Sequence, residues 1–424
     1  MPQRVVLVIS LGTLLLGNHA GSSFAQTPDE QTVGPPVLES PEPNLNADPS
    51  PVSQPPQPDE QHLSEFTEQE RNDAVFMLSE LRGHVRTFPA GAEERLKLAQ
   101  GLYRVGDLDA ALDECRIALK LQPSNADALL QLGIILMAKQ DGRGAATAFM
   151  EAILINPKLT HAHYSLGSVQ YSLGNIKAAI QSYRRALELQ PHFPDARYRL
   201  ALLLKLTSRH QEAAQFMEEA AVGGVPQAQF FSGNAYKSGQ GVEKSLGRAI
   251  FWWTRAAEFG HQPAVDALAK LRRQALSTDF TDRRRNDTLE GFQSYRAMLW
   301  EEFPDYRRSD DGETVGTTLL KNNRTDSAVA TLLQEAYALS DVALAELVRL
   351  YETGWDQHLA PFDKKILGCI ETIAAEGFVP AKKALARIYG QGLGVAPDRA
   401  KAKASLRGLS KQDTKVLLDE LGLR

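Results

Sequence analysis

The chain has 424 residues, 43% of them hydrophobic and 23% charged, with a net charge of −5. Seven acids (Asp29, Glu30, Glu39, Glu42, Asp48, Asp59 and Glu60) and one base, Arg4, fall between Met1 and His62, leaving the remainder with 46 basic and 45 acidic residues. That balance excludes a strongly basic domain of the kind that gathers nucleic acid, and no nucleic-acid partner is expected.

Met1 to Ala25 opens on Arg4, runs through an apolar stretch from Val5 to Leu16 and ends Ser23-Phe24-Ala25. Small residues at Ser23 and Ala25 mark residues 1–25 as a signal peptide cleaved before Gln26. The stretch is shorter than the ~20 apolar residues a spanning helix needs, and no cysteine follows it to carry a lipid. The mature chain is therefore expected to be secreted across the inner membrane into the periplasm as a soluble protein.

Residues 26–62 read as a linker. Ten of the 22 prolines fall between Gln26 and Gln61, where lysine and arginine are absent. Proline removes backbone donors and the acids repel one another, so an extended, disordered tether is predicted. In the segment 63–91, Thr67 and Glu70 have the spacing of a capping box. Ala74, Met77, Leu81, Val85 and Phe88 fall on one helical stripe, which predicts a lone helix covering the open end of whatever follows.

Prolines then recur at Pro89, Pro123, Pro157 and Pro191, each 34 residues after the last. Ala111, Ala145 and Ala179 keep that spacing, as do Ala118, Ala152 and Ala186. Small residues at fixed positions let two helix backbones approach, and a proline beyond the second helix turns the chain into the next unit.

Further positions complete a pattern. Leu98-Ala99, Leu132-Gly133, Leu166-Gly167 and Leu200-Ala201 occupy matching places, as do Cys115, Phe149, Tyr183 and Met217. The span 92–225 thereby resembles four tetratricopeptide repeats, although Arg95, Leu129, His163 and Arg197 stand where that family has tryptophan. The resemblance implies an all-α protein, an α-solenoid of helix hairpins forming a right-handed superhelix.

Beyond Ala220 the pattern changes. Ala220-Ala221-x-x-Gly224 returns as Ala256-Ala257-x-x-Gly260, 36 residues on. Gly233, Tyr236, Gly239, Gly241, Val242 and Ala249 precede Trp252 and Trp253. Leu385, Tyr389, Gly392, Gly394, Val395, Asp398 and Ala402 repeat the theme, with a weaker copy at Ala343, Leu347, Tyr351 and Gly354. The spans 226–275 and 325–424 resemble Sel1-like repeats, relatives with a longer, glycine-rich hairpin loop. Gly239-x-Gly241-Val242 joins two helices and follows no strand, which excludes a phosphate loop. Between these spans, 276–324 reads as an irregular insertion. Within it Leu289, Phe292, Met298, Leu299 and Trp300 form an amphipathic stretch that either packs on the neighbouring stack or docks a partner.

Residues with catalytic chemistry are sparse. His161 and His163 are two apart and do not share a helix face, so no metal site is expected. Glu301-Glu302 reads as solvated charge. Cys115 fills a core slot far from Cys369, and two buried free thiols are expected. Neither a nucleophile with its base nor a phosphate-binding lysine loop is found, so the chain is expected not to be an enzyme and to need no cofactor. A hydrolase built on the insertion lacks a triad or metal set.

In the tetratricopeptide family the groove is lined by the first helices. The resemblance assigns to it Gln100, Tyr103 and Arg104; Leu130, Ile134 and Met137; His161, Tyr164, Ser168 and Tyr171; and Tyr198, Leu202 and Lys205. The lysine-asparagine clamp by which some members hold carboxylates is absent. A tyrosine-rich, apolar groove suits an amphipathic helix or an extended segment with hydrophobic anchors, unless some of these side chains pack inside the stack. The implied function is a protein-binding scaffold or adaptor, or alternatively a scaffold in cell-envelope or exopolysaccharide assembly.

Overall fold

The computed structural model describes residues 68–277, 280–306, 313–356 and 358–423, all within one compact unit, Glu60–Arg424. The signal peptide, the linker and the Thr67 side of the capping box lie outside the described residues. Among the described residues the fold is all-α, an α-solenoid of stacked helix hairpins. Its one departure is an isolated bridge between Trp355 and Leu359.

Helix α1 (Glu68–Thr87) stands alone and lays Met77, Leu78 and Leu81 over Gly101 of the first hairpin. Four hairpins follow: α2 (Ala92–Arg104) with α3 (Leu108–Leu121), α4 (Ala126–Ala138) with α5 (Gly142–Ile155), α6 (Thr160–Ser172) with α7 (Ile176–Leu189), and α8 (Pro194–Leu206) with α9 (His210–Val222). Asp107, Asn125 and Asp141 each accept the backbone N–H three residues on, capping α3, α4 and α5.

One contact organises every hairpin. A small residue in the first helix faces a large one 16 residues later: Gly133 meets the Phe149 ring and Gly167 the Tyr183 ring. Ala99 with Cys115, and Ala201 with Met217, occupy the same places in their buried clusters. Seven residues past the small one the chain turns through the left-handed region, at Gly106, Gln140, Gly174 and Ser208. The second helices of the first three hairpins end differently, on extended Gln122, Asn156 and Gln190. The fourth instead leaves α9 through left-handed Gly224.

After α9 the turn lengthens. Helices α10 (Pro226–Ser238) and α11 (Leu246–Glu258) set Gly233 against Trp253, now 20 residues apart. The extra residues form a loop in which Gly239 and Gly241 are both left-handed. A Cβ at Gly241 would collide with the carbonyl of His210, so the loop lies flat on the start of α9. Tyr236 braces it: its carbonyl accepts the Ser245 N–H at 2.9 Å, and its hydroxyl donates to Glu218 at 2.8 Å.

The same arrangement returns near the C-terminus, where α18 (Val379–Gln391) and α19 (Arg399–Ser405) are joined through left-handed Gly392 and Gly394. There the Tyr389 carbonyl accepts from Asp398 at 2.9 Å and its hydroxyl bonds Glu371. In the third copy, α16 (Asp341–Thr353) and α17 (Lys364–Ala375) are joined through Gly354, and the Tyr351 carbonyl accepts the Phe362 N–H at 2.7 Å. Helix α20 (Lys411–Glu420) closes the chain, packing Leu417 on Ala386 and Leu406.

The described parts of 276–324 are largely helical rather than irregular. Helix α12 (Gln262–Leu276) leads into α13 (Asp282–Leu299), which lies across α11. The two cross closely because Gly247 and Gly291 leave room, Gly247 against Ser294 and Gly291 against Leu246. Phe292, Tyr295 and Leu299 are buried there.

Next, α14 (Val315–Lys321) pairs with α15 (Thr325–Tyr337) as a short-turn hairpin. Gly316 meets Leu332 16 residues on, and the turn passes through left-handed Asn323. Aligned on Gly316, α14 begins at the seventh position of its unit. Glu335, which stands where the other hairpins have Ala118, Ala152, Ala186 and Ala220, fills the vacated space. It accepts the Val315 and Gly316 N–H groups at 2.8 and 3.1 Å while being 1% exposed. Burial raises its carboxyl above the usual range and these backbone bonds oppose the rise.

A single core runs from Tyr198 to Ile388, so the two kinds of hairpin share one interior. Arg272 of α12 and Glu376, 104 residues later, form a bidentate pair with side chains only 5% and 10% exposed. The Arg272 guanidinium also lies 5.3 Å over the Tyr337 ring.

The small-to-large contact predicts an order of stabilities. Gly167→Val would push Cβ, already 2.9 Å from the Tyr183 ring, into that ring, costing about 2–3 kcal/mol or more. Gly174→Ala, whose strain is confined to its left-handed backbone, would cost about 1 kcal/mol. Urea unfolding of both variants measures this, and a reversed order would remove the contact as the organiser of the hairpin.

Candidate partner-binding groove

The first helices present one face from hairpin to hairpin. Nine of the groove positions, together with Ser168, are half-buried: Gln100, Tyr103 and Arg104 on α2, Leu130 and Met137 on α4, His161, Ser168 and Tyr171 on α6, and Leu202 and Lys205 on α8. Ile134, Tyr164 and Tyr198 are core residues instead, at 5%, 7% and 4% exposure. The physical reason is local. Ile134 packs with Phe149 and Leu166 of its neighbours, Tyr164 sits 4.9 Å from Phe193 and 5.6 Å from Tyr183, and Tyr198 is 6.3 Å from Phe231.

These contacts bring in residues that the repeat pattern alone did not single out. Phe193 covers both Tyr164 and His161, the latter at 5.6 Å. Tyr183, from a second helix, reaches through to Ser168, its hydroxyl 2.9 Å from Oγ. Arg199 lies with its guanidinium 5.8 Å over the Tyr198 ring and beside the Tyr164 and Tyr183 hydroxyls. Its signal was present in the sequence, one residue along from Tyr198, but charge at that position has no meaning until the neighbouring ring is placed. Phe231 of α10 carries Lys205 at 5.3 Å over its face.

Burial sets the electrostatics. It lowers His161 below its ordinary value, so this imidazole is neutral near pH 7 and supplies no fixed charge. It raises the Tyr103 hydroxyl, leaving a neutral donor. The face thus combines half-buried rings and aliphatic side chains with cations at Arg104, Arg199 and Lys205.

Among the described residues no group of His, Cys, Asp or Glu has the clustering to hold a metal ion. His161 and His163 diverge, His163 turning to the Pro157 carbonyl at 3.0 Å. Glu302 is paired with Arg255 at 2.5 Å. The hollows bounded by Leu409 and Leu418, and by Ser208 and Gln215, are shallow and open. No helix among the described residues is long and apolar enough to cross a membrane.

Residues 96–158 and 164–229 match the model of the tetratricopeptide repeat family. These two segments are tetratricopeptide repeats. They stack as hairpins, the architecture of a protein-interaction scaffold. No curated protein sequence matches the chain.

Among solved structures, YrrB, described as a TPR protein with an unusual peptide-binding site, is 23% identical over 44% of this chain and 96% of its own, with a TM-score of 0.36. MamA is 22% identical over 37% of this chain and 91% of its own, at 0.34. The pilF protein of Pseudomonas aeruginosa is 18% identical over 57% of this chain and 94% of its own, at 0.37.

Both cysteines are buried and free. Burial pushes each thiol up to about 12, and Cys115 donates to the Ala128 carbonyl at 3.2 Å. The thiolate is the reactive form and is scarce well below that value. A thiol reagent at pH 8 is therefore expected to leave both unlabelled in the native protein and to label two per chain in denaturant. Native labelling at the denatured rate would contradict the packing.

Proposed function

We propose that this protein is a non-enzymatic periplasmic adaptor that holds a segment of a partner protein along the first-helix face of its tetratricopeptide repeats. The observation that carries this reading is the row of half-buried Tyr103, Met137, Tyr171 and Leu202, one on each of four successive first helices. Side chains of this kind, neither solvated nor enclosed, are the ones a docking segment can finish burying. Their hairpin-to-hairpin spacing suits an elongated ligand and gives no enclosure for a small substrate.

Two further elements belong to this proposal. The Gly239–Gly241 and Gly392–Gly394 hairpins are Sel1-like repeats, supported by their shared tyrosine brace, and they extend the scaffold beyond the matched segments. Export rests on the sequence of residues 1–25, and delivery to the periplasm would place the adaptor where envelope proteins are assembled.

The test is crosslinking in intact periplasm followed by mass spectrometry, comparing the natural chain with one carrying Tyr103→Ala and Tyr171→Ala together. Both side chains are half-buried, so the fold is expected to survive while partner affinity falls by about thirtyfold or more, as loss of two aromatic anchors of ~1 kcal/mol or more each would give, and recovery falls with it. Undiminished recovery would sink the groove assignment, and absence of the chain from the periplasmic fraction would sink the export reading.

A further inference from the structure

From the fourth hairpin onward the stack gains unpaired charge on one side. Arg199 and Lys205 lie on α8, Lys237 on α10, Lys270 on α12 and Arg284 on α13. Ring contacts carry the face across these helices: Tyr198 to Phe231 joins α8 to α10 at 6.3 Å, and Phe230 to His261 joins α10 to the start of α12 at 5.0 Å.

Four of the five cations lie over rings, Arg199 over Tyr198, Lys205 over Phe231, Lys237 over Trp253 and Arg284 over Phe280, at 5.3 to 5.8 Å. A ring quadrupole holds a cation in place without cancelling its charge. Among the described residues none of the five forms an ion pair, whereas neighbouring cations turned toward second helices or toward the turn after α13 do. Arg184 pairs with Glu212 at 2.5 Å, Arg197 with Glu219 at 3.2 Å and Arg255 with Glu302 at 2.5 Å. Exposed Asp195 lies within electrostatic reach of Arg199.

Lys270 and Arg284 are both within electrostatic reach of Lys237. The Lys237 ammonium falls below its ordinary value through burial first and these two like charges second; Lys205 falls through burial alone. Like charges held together on a surface cost free energy that an anion can relieve.

We propose that the face from α8 to α13 binds an acidic, extended polypeptide segment, its carboxylates meeting Arg199, Lys205, Lys237, Lys270 and Arg284 and its apolar side chains resting on Phe230, Phe231 and Leu202. The inference rests on the groove reading above and adds to it the charge of the ligand and the side of the stack where that charge is read. A polypeptide fits better than a nucleic acid because half-buried apolar surface separates the cations. In addition, the chain beyond His62 is close to neutral, so it exerts little long-range pull on a polyanion.

The experiment uses the full chain and fluorescence anisotropy, with a labelled peptide alternating glutamate and leucine as probe. Glutamine-leucine and lysine-leucine peptides and a short single-stranded DNA are the other arms. The glutamate peptide is expected to bind tightest and to weaken steeply with added salt. A Lys237→Gln, Lys270→Gln, Arg284→Gln variant, altered only at exposed side chains, should bind it about tenfold or more weakly with unchanged urea unfolding. Replacing both lysines by arginine should restore binding.

Equal affinity for the glutamine peptide, tighter binding of DNA, no binding of the glutamate peptide, or an unaffected variant would each overturn the proposal. The groove reading would stand apart from all four outcomes, because it is decided by partner recovery through Tyr103 and Tyr171.

Discussion

The contact between a small residue in one helix and a large one in the next governs this molecule. Where Gly133 meets Phe149 or Gly167 meets Tyr183, two backbones are drawn together until no gap remains between them. That closeness fixes the angle of the hairpin, and the repeated angle makes the first helices share one face. When the spacing grows to 20 residues at Gly233 and Trp253, the contact survives and only the loop lengthens. The glycine-loop hairpins can therefore stack on the others without a break in the core.

Much of this was legible in the chain. Prolines and alanines at a spacing of 34 announced the short-turn hairpins, and the doubled glycines announced the long-turn ones. The hairpin of α14 and α15 escaped for a physical reason. Its alanine slot holds Glu335, its first helix begins late, and the regularity that identifies a repeat was erased by the residue that compensates for the shortening. Gly316 and Leu332 kept their spacing, and Ala328 kept the place of Ala145, but three positions without proline do not stand out from background.

Groove residues were harder to read than the fold. Repeat position says which helix face a side chain occupies, whereas burial depends on what the next hairpin lays against it. Tyr164 and Tyr171 are seven residues apart on one helix; Phe193 covers the first and leaves the second half-open. With Tyr164 and Tyr198 taken into the interior, cations have a larger share of the remaining surface than composition suggested. Arg199 and Lys205 sit over rings that serve the core on one side and the face on the other.

The pair between Arg272 and Glu376 has a consequence for how the molecule comes apart. In an array where each hairpin touches only its neighbours, an end can fray one unit at a time. The first hairpins have that freedom. Further on, two residues 104 apart are bolted together inside the core, so α12 to α17 enclose a loop that must be closed in one act. Closing a loop of that length carries an entropic cost that grows only slowly with size, yet no part of the gain arrives until the bolt is seated. Pulled from its ends, such a chain would yield stepwise on one side and all at once on the other.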